Sequence, residues 1–473
     1  MLSPRTHRLR IIARVVAGAV AMYAIAWVSG FPRTYDDDEL PSDAQRKKAE
    51  PTHTPHHVEV DQIVVAINTH ASDAYEKVPR MLLLTNTIYH DTLVLLGDLE
   101  MDIGAFHVHD VLDRFEMDFL STQPDLERYR AQLEAARFSL DLRSLKELDP
   151  RKEVETMNKL DKYKYLRMLE RAWELRPDRA WYVFVDMDTF LVRSNLMAWL
   201  GEYDAEDPIF FVNPPNAESP DPFGIGGTTF VLSHTAMRNF IAEREIISKW
   251  ESSIADSASG IDILSSAITT ELGIVSNMSW PAISGFNPYT IPYGPGLWCE
   301  EVVALHSVPP ELATDIWRLQ RDREEYQHIH DPLTFADLWI RFLQHENLSQ
   351  PRDEWDNLSS GSDNAKWNIL FERVEGDEEG KASRGEGSWE ECRDSCNTNQ
   401  HCVQFSYSSI AMPNFNENEE TRCHLSSSMR LGRYVGSHRI GGGGGEGTWK
   451  SGWRKDKFEH WARNQRCKTQ QNK

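Results

Sequence analysis

The chain has 473 residues and a formal net charge of −22, from 73 acidic and 51 basic side chains. This excess of negative charge argues against nucleic acid as a partner, and it means that an anionic substrate would need local positive charge or a metal ion. The length allows one large domain and one small one.

The N-terminus predicts a membrane anchor. Residues 1–10 form a basic tail, and residues 11–31 form an apolar stretch long enough to cross a thin bilayer. The basic residues before it and the acidic residues 36–39 after it orient the N-terminus toward the cytoplasm. We expect an uncleaved signal anchor; a cleaved signal peptide is the alternative. The rest of the chain would then lie in the lumen, as a single-pass type II protein of the Golgi or ER membrane.

A proline-containing polar stem, residues 32–58, precedes the predicted α/β domain at 59–350. Its first strand is Ile63–Ile67, followed by Asn68, the candidate ligand-binding residue Thr69 and His70. A helical segment from about Tyr75 to Leu84 leads to a second buried strand within 91–98. Strands that alternate with helices predict βαβ units and a mixed, mainly parallel sheet.

The segment from Leu160 to Leu175 has apolar residues at helical spacing and carries two lysines, Lys162 and Lys164. A solvated helix face is the ordinary interpretation of such lysines. The alternative, which keeps them as candidates, is that they face a phosphate.

The next strand, from Trp181 onward, ends in Asp186 and Asp188. A short uninterrupted apolar run predicts a strand buried on both faces, and ligands of open α/β sheets bind beyond the carboxyl ends of such strands. Two carboxylates facing one point suit Mg²⁺ or Mn²⁺ holding a diphosphate. The alternative is a turn or a helix cap, since the same spacing recurs at Asp36 and Asp38 in a polar run.

Three further candidates follow. Gly226 and Gly227 lie in a turn that lacks the Gly-Lys-Ser/Thr of a P-loop; they would let the backbone approach a sugar, or form a plain tight turn. Asp262 lies in the first turn of a helix predicted over 260–272, where it is either a functional carboxylate or a cap. His306 ends a strand predicted over 302–306 and is either structural or a third metal ligand, which would favour Mn²⁺.

The C-terminal part divides into a charged, Gly- and Ser-rich linker (351–387), a cysteine-rich module (388–440) and a tail (441–473). The spacing of Cys392, Cys396, Cys402 and Cys423 favours disulfides over zinc in an oxidising lumen. Asn277, Asn347 and Asn357 stand in sequons that would be open to glycosylation there.

Several motifs together resemble the fungal branch of the Fringe-like glycosyltransferases, family 31, over roughly residues 59 to 360. They are Asp161–Leu166, Trp181–Leu191, the Gly226-Gly227 turn with Val231-Leu232-Ser233, Gly260-Ile261-Asp262, Trp298-Cys299 to His306, and Trp355–Ser359. Separately, Trp389–Phe405 resembles a PAN/Apple-like module, a small disulfide-rich α+β fold, and Trp449–Trp453 is similar to the tail of the same fungal proteins.

The resemblance implies a GT-A nucleotide-sugar fold, dependence on Mn²⁺, and transfer with inversion from a UDP-sugar to a glycan or glycoprotein acceptor through a β1,3 linkage. It makes Asp186 and Asp188 the D-x-D pair, with Asp188 the more direct ligand, His306 a metal ligand and Asp262 the base. Two departures affect the ligand set: Met187 interrupts the run of three Asp common in animal members, and Ser307 follows His306 where many relatives have a second His. The competing interpretation is a non-catalytic glycan-binding membrane protein built on a transferase fold.

The pairing of the cysteines follows from a predicted helix over 389–397. Cys392 and Cys396 would share one face of it, so both should bridge to strands below. The short loop after the helix favours Cys396–Cys402, which leaves Cys392–Cys423, and PAN-like modules resemble this nested pattern. We expect Cys299 and Cys467 to pair in the oxidising lumen.

Overall fold

The computed structural model describes residues 57–85, 92–213, 229–326, 331–360, 368–374, 383–411, 419–436 and 447–467. The described residues belong to one compact unit. The predicted anchor at 11–31 and the turn with Gly226 and Gly227 lie outside the described residues. Within the described ranges, no helix combines the length and the apolarity that crossing a membrane requires.

The described residues of the first part of the chain, up to 342, contain ten strands. They are β1 Ile63–Asn68, β2 Leu93–Gly97, β3 Met101–Ile103, β4 Phe106–Asp110, β5 Trp181–Asp186, β6 Phe190–Leu191, β7 Phe210–Asn213, β8 Thr229–Ser233, β9 Asn277–Met278 and β10 Ala304–Leu305. Eight of them form the central sheet in the order β3-β4-β2-β1-β5-β8-β7-β9, while β6 and β10 pair separately. Strand β1 is parallel to β2 and β5, and β2 is parallel to β4, whereas β8 is antiparallel to both neighbours. This confirms the predicted α/β class and its mixed, mostly parallel sheet.

Helices pack on both faces of this sheet, and the last two of the first part pack in a separate apolar cluster. In chain order they are α1 Ala71–Thr85, α2 Met117–Thr122, α3 Glu127–Arg137, α4 Pro150–Asp161, α5 Tyr165–Leu175, α6 Arg193–Leu200, α7 His234–Ala242, α8 Ile246–Glu251, α9 Gly260–Leu272, α10 Pro310–Arg321 and α11 Phe335–Phe342. Successive residues of β5 point to opposite faces: Tyr182 and Phe184 pack with α5, α7 and α9, while Trp181 and Val183 pack with α1 and α6. Each such side chain contributes about 1.5–3 kcal/mol on burial, which is why an uninterrupted apolar run forms this strand.

The predicted helix over 160–175 is two helices joined by a turn. Helix α4 ends at Asp161 and α5 begins at Tyr165, with Lys164 N bonded to Asp161 O at 2.9 Å in the turn. The turn directs both lysines inward, so that Lys162 is 8% and Lys164 0% exposed. The interpretation of these lysines as a solvated face is therefore wrong.

In the C-terminal part, the described segments contain seven strands and two helices: β11 Arg352–Asp353, β12 Trp355–Asp356, β13 Asn368–Val374, α12 Trp389–Thr398, β14 Gln404–Ala411, β15 Glu419–Ser426, β16 Arg433–Tyr434, β17 Gly447–Trp453 and α13 Lys455–Arg463. A five-stranded sheet has the order β11-β17-β14-β15-β13. It takes β11 and β13 from the stretch predicted as a linker and β17 from the predicted tail. Strand β11 has only two residues, both charged, and β17 contains two glycines, so composition does not mark these two; β13 is a short apolar run inside a charged stretch.

The structure contains all three expected disulfides. Cys392–Cys423 and Cys396–Cys402 fasten α12 to β15 and to the residues before β14, and Cys299–Cys467 joins the two parts of the chain. The predicted helix over 389–397 corresponds to α12, with both of its cysteines buried. One sequon is excluded by the fold: Asn357 is fully buried and its Nδ2 donates to Phe405 O at 3.0 Å, so the folded chain leaves no room for a glycan there.

Candidate functional site

Two neighbouring parallel strands bring polar side chains together at the carboxyl edge of the central sheet. Asn68, the last residue of β1, lies in register with Asp186, the last residue of β5. Its Nδ2 lies 3.3 Å from Asp186 Oδ1 and 3.2 Å from Asp161 Oδ1, so it can donate to either carboxylate. Sequence reasoning missed Asn68 as a site residue. The signal was its place directly after a buried strand.

Asp188 and His306 contact each other close to Asp186. Strand β6 follows Asp188 and pairs antiparallel with β10, which ends just before His306. His306 Nδ1 lies 3.3 Å from Asp188 Oδ1 and 3.2 Å from Thr189 Oγ1. The Asp188 side chain is 47% exposed, whereas His306 is buried. The pairing of two short strands thus brings together two predicted ligands that are far apart in sequence.

Lys164 is the hub of a buried polar network behind these residues. Its Nζ lies 2.9 Å from Asp161 Oδ1, 3.1 Å from Asn68 Oδ1 and 3.0 Å from the Thr69 carbonyl oxygen. Burial disfavours the charged ammonium, but Asp161 and then Asp98 outweigh this effect and raise the pKa of Lys164. The lysine therefore stays positively charged and holds the end of β1 in place.

His70 completes the network between two carboxylates. Its Nε2 lies 3.4 Å from Asp161 Oδ2, and its Nδ1 lies 3.5 Å from Asp98 Oδ2 and 3.1 Å from Lys164 Nζ. Burial opposes a charge on the ring, but Asp161 in particular raises the pKa of His70. Asp98, which directly follows β2, is fully buried and also accepts from Ala71 N at 2.6 Å. The Lys164 ammonium and the His70 ring thus both lie between the carboxylates of Asp98 and Asp161.

The environment of Asp186 disfavours ionisation of its carboxyl group. Burial raises the pKa of Asp186 to about 6; His306 opposes this shift, and Asp161 and Asp188 add to it. A divalent cation beside it would offset the cost of a partly buried carboxylate. Two carboxylates and an imidazole nitrogen also form a donor set that Mn²⁺ accepts. The donor types at this edge of the sheet are therefore those that the implied metal takes, but the structure brings only Asp188 and His306 together as a pair.

Thr69 is buried at the same edge. Its amide donates to Leu96 O at 2.8 Å, and its carbonyl accepts from Lys164. Its Oγ1 is buried without a hydrogen-bond partner in the structure. The main chain of Thr69 belongs to the network, and a role of its side chain in ligand binding remains a prediction.

Lys162 points away from Lys164. Its Nζ donates to Ala255 O at 3.0 Å and to Ser257 O at 3.3 Å, and it pairs with Asp125 at 3.3 Å. These contacts fix the loop that leads into α9. A direct role of Lys162 or Lys164 in donor binding stays a prediction. The observed contacts of Lys162 position the loop before α9, and those of Lys164 position the end of β1.

Asp262 lies at the start of α9, beside the turn that carries the two lysines. Its Oδ2 accepts from Ser259 Oγ at 2.7 Å, and its amide donates to the same hydroxyl at 3.3 Å. Gly260 in the same turn packs so closely on Tyr165 that an added Cβ would lie 2.4 Å from the ring. The carboxylate is half-buried and takes part in a helix cap, which is compatible with both of its predicted roles.

A different group brings three possible metal ligands close together. Over the residues that the structure describes, one set of three possible ligands has its donor atoms within 4.8 Å of one another: Glu100, His107 and His109. Asp188 and His306 form a ready pair at the main site, whereas Asp186 faces Asn68. Neither a scan against models of protein families nor a search of curated proteins found a match for this chain.

Proposed function

We propose that this chain is a metal-dependent inverting glycosyltransferase of GT-A type, which moves a sugar from a UDP-sugar to a glycan or glycoprotein acceptor, with a β1,3 linkage as the expected product. The observation that carries the proposal is the meeting of Asn68, Asp186, Asp188 and His306 at the carboxyl edge of parallel strands. Ligands of open α/β sheets bind at this edge.

Asp188 and His306 are the residues that would hold Mn²⁺ or Mg²⁺, with Asp186 as the third ligand. When bound, the metal would neutralise the diphosphate and so make UDP a better leaving group. Asn68 keeps the end of β5 in register, and Lys164 keeps Asn68 in place. Gly226 and Gly227 would let the main chain approach the donor.

Asp262 is the proposed base. In an inverting transfer the acceptor oxygen bonds to the anomeric carbon as the bond to UDP breaks, and the acceptor proton passes to the carboxylate. Such a carboxylate needs no strongly shifted pKa, because the proton moves late in the step. Lys162 would support Asp262 indirectly, since it fixes the loop before α9.

Release of UDP tests the proposal. The full chain is incubated with UDP-galactose, UDP-GlcNAc and related donors, with Mn²⁺ or with a chelator. We expect release that requires the metal and is lost in Asp188→Ala, but not in Asp118→Ala, which removes an exposed carboxylate from α2. Absence of release with every donor, or full release by Asp188→Ala, would contradict the proposal. The first result would favour the glycan-binding alternative.

The proposed location is a Golgi or ER membrane with the main domain in the lumen. Protease added to sealed vesicles should then spare everything after about residue 31. A glycosidase should also increase gel mobility through loss of glycans at Asn277 or Asn347. Digestion of the main domain in intact vesicles would show that the orientation is reversed.

A further inference from the structure

The edge hairpin of the central sheet carries a second group of polar side chains. Strands β3 and β4 are antiparallel, with Asp102 opposite His107 and Met101 opposite Val108. Glu100 directly precedes β3 and so falls beside His109. Because side chains two apart on a strand share a face, all four polar side chains lie on one face of the hairpin.

We propose that Glu100, His107 and His109 bind a divalent transition-metal ion of the zinc type. Glu100 Oε1 lies 2.5 Å from His107 Nε2 and 4.0 Å from His109 Nδ1. Two imidazoles and one carboxylate form a known zinc donor set. Imidazole ligands select zinc, copper or nickel over magnesium and calcium, so this site takes another class of ion than the proposed donor site.

Neighbouring groups already orient two of the three ligands. Asp102 Oδ1 lies 2.6 Å from His107 Nδ1 and can accept a hydrogen bond from it, so that Nε2, which now contacts Glu100 Oε1, is the ring nitrogen directed toward a metal. The amide of Asp110 donates to Glu100 Oε2 at 2.7 Å, which leaves Oε1 directed at the histidines. A carboxylate behind a ligating histidine is typical of zinc sites and distinguishes this cluster from a chance surface group.

A cavity of about 240 Å³ adjoins the two histidines and is also lined by Phe106, Leu175 and Arg176. Three protein ligands leave at least one position of a tetrahedral ion open. The cavity has room for the water or small anion that would complete the coordination.

Zinc binding by the full chain tests this site. Zn²⁺ is titrated against a chromophoric chelator in an Asp188→Ala background, which removes the donor site. We expect one tight equivalent that is lost in His109→Ala and weakened about 10–100-fold in Asp102→Asn, whose side chain cannot replace the carboxylate behind His107. His345→Ala, at an exposed histidine outside the cluster, should keep it.

Glu100→Gln separates loss of a ligand from loss of the fold. Glutamine keeps an acceptor for the Asp110 amide, so the thermal unfolding of this variant should match that of the parent while zinc affinity falls. Visible absorption of bound Co²⁺ should fall in parallel. UDP release by Glu100→Gln with Mn²⁺ should be unchanged, which distinguishes failure of this site from failure of the transferase proposal. Unchanged zinc affinity in both His109→Ala and Glu100→Gln would overturn the proposal.

Discussion

The two carboxylates of the D-x-D pair lie in unlike environments although one residue separates them. Asp186 is partly buried against Asn68, and burial raises its pKa, whereas Asp188 is nearly half exposed beside His306. A cation arriving from solvent would reach Asp188 first. This difference supports Asp188 as the more direct ligand. Ionisation of Asp186, which burial disfavours, would be stabilised by the positive charge of the cation.

The two lysines of the 162–164 turn allow a matched comparison. Lys164→Met leaves Asp161 and Asp98 without their central cation, and removal of one partner of a buried ion pair costs roughly 3–5 kcal/mol. Lys162→Met removes an ion pair to the less buried Asp125 and two carbonyl contacts, so it should cost roughly 1–2 kcal/mol. Urea unfolding of both variants measures the difference. Equal decreases in the free energy of unfolding for the two variants would argue against Lys164 as the hub of the network.

Asp262→Asn tests the proposed role of Asp262 as the base. Asparagine can keep the cap with Ser259 but takes up no proton, so turnover should fall roughly 10²–10⁴-fold with little change in donor affinity. Ser259→Ala is the control, since it removes the cap at a cost of about 0.5–2 kcal/mol and leaves the carboxylate. If Asp262 only caps α9, Asp262→Asn should be almost silent and Ser259→Ala the more harmful change.

At the level of single elements, local sequence signals predicted the bounds of some helices and strands but not the pairing of others. Helix α9 matches its predicted bounds because Ser259 caps it and Gly273 ends it with a left-handed φ of 68°. The strand predicted over 302–306 is only β10, and it pairs with β6 instead of joining the central sheet. The contact of His306 with Asp188 depends on that pairing, and Asn68 joins the site through the register of β1 with β5. Such long-range pairings leave no periodic trace in a sequence.

The five-stranded sheet should respond to acid through His424 on β15. Its ring is buried, stacks on Trp449 and lies 3.2 Å from Ser408 Oγ; burial, with Arg422 nearby, lowers the pKa of His424 to about 3. The unfolded state then binds more protons than the native state below about pH 6.5, so stability falls as the pH drops from there toward 3.

At pH 4.5 this group should cost about 2–3 kcal/mol relative to neutral pH, and His424→Gln should remove that part of the loss. Thermal unfolding at pH 7.5 and pH 4.5 measures both forms. His460→Gln, at an exposed histidine on α13, is the control and should keep the acid sensitivity of the parent. Parallel pH profiles for the parent and His424→Gln would refute the assignment.

For the whole molecule, the first part of the chain and its C-terminal part share one apolar core beside the central sheet. Trp298 and Trp339 of the first part pack on Phe458 and Trp461 of α13, with Trp339 and Phe458 rings 4.5 Å apart. Tyr293 also exchanges two main-chain hydrogen bonds with Met429. Together with Cys299–Cys467, these contacts make the second sheet a structural part of the larger domain.

Truncation therefore provides the test at this scale. Composition alone predicts that residues 59–350 form a domain of their own, whereas the shared core predicts that a chain ending at residue 350 exposes Trp298 and Trp339. Exposure of each such aromatic costs about 1.5–3 kcal/mol of stability, so the shortened chain should aggregate or unfold at a much lower temperature.

A chain that ends at residue 440 should be nearly as unstable, because it lacks α13 and also β17, which lies between β11 and β14. A chain ending at residue 467 keeps Cys467 and should unfold like the full chain. A soluble 350-residue chain with the unfolding temperature of the parent would mean that the larger sheet is stable without the shared core.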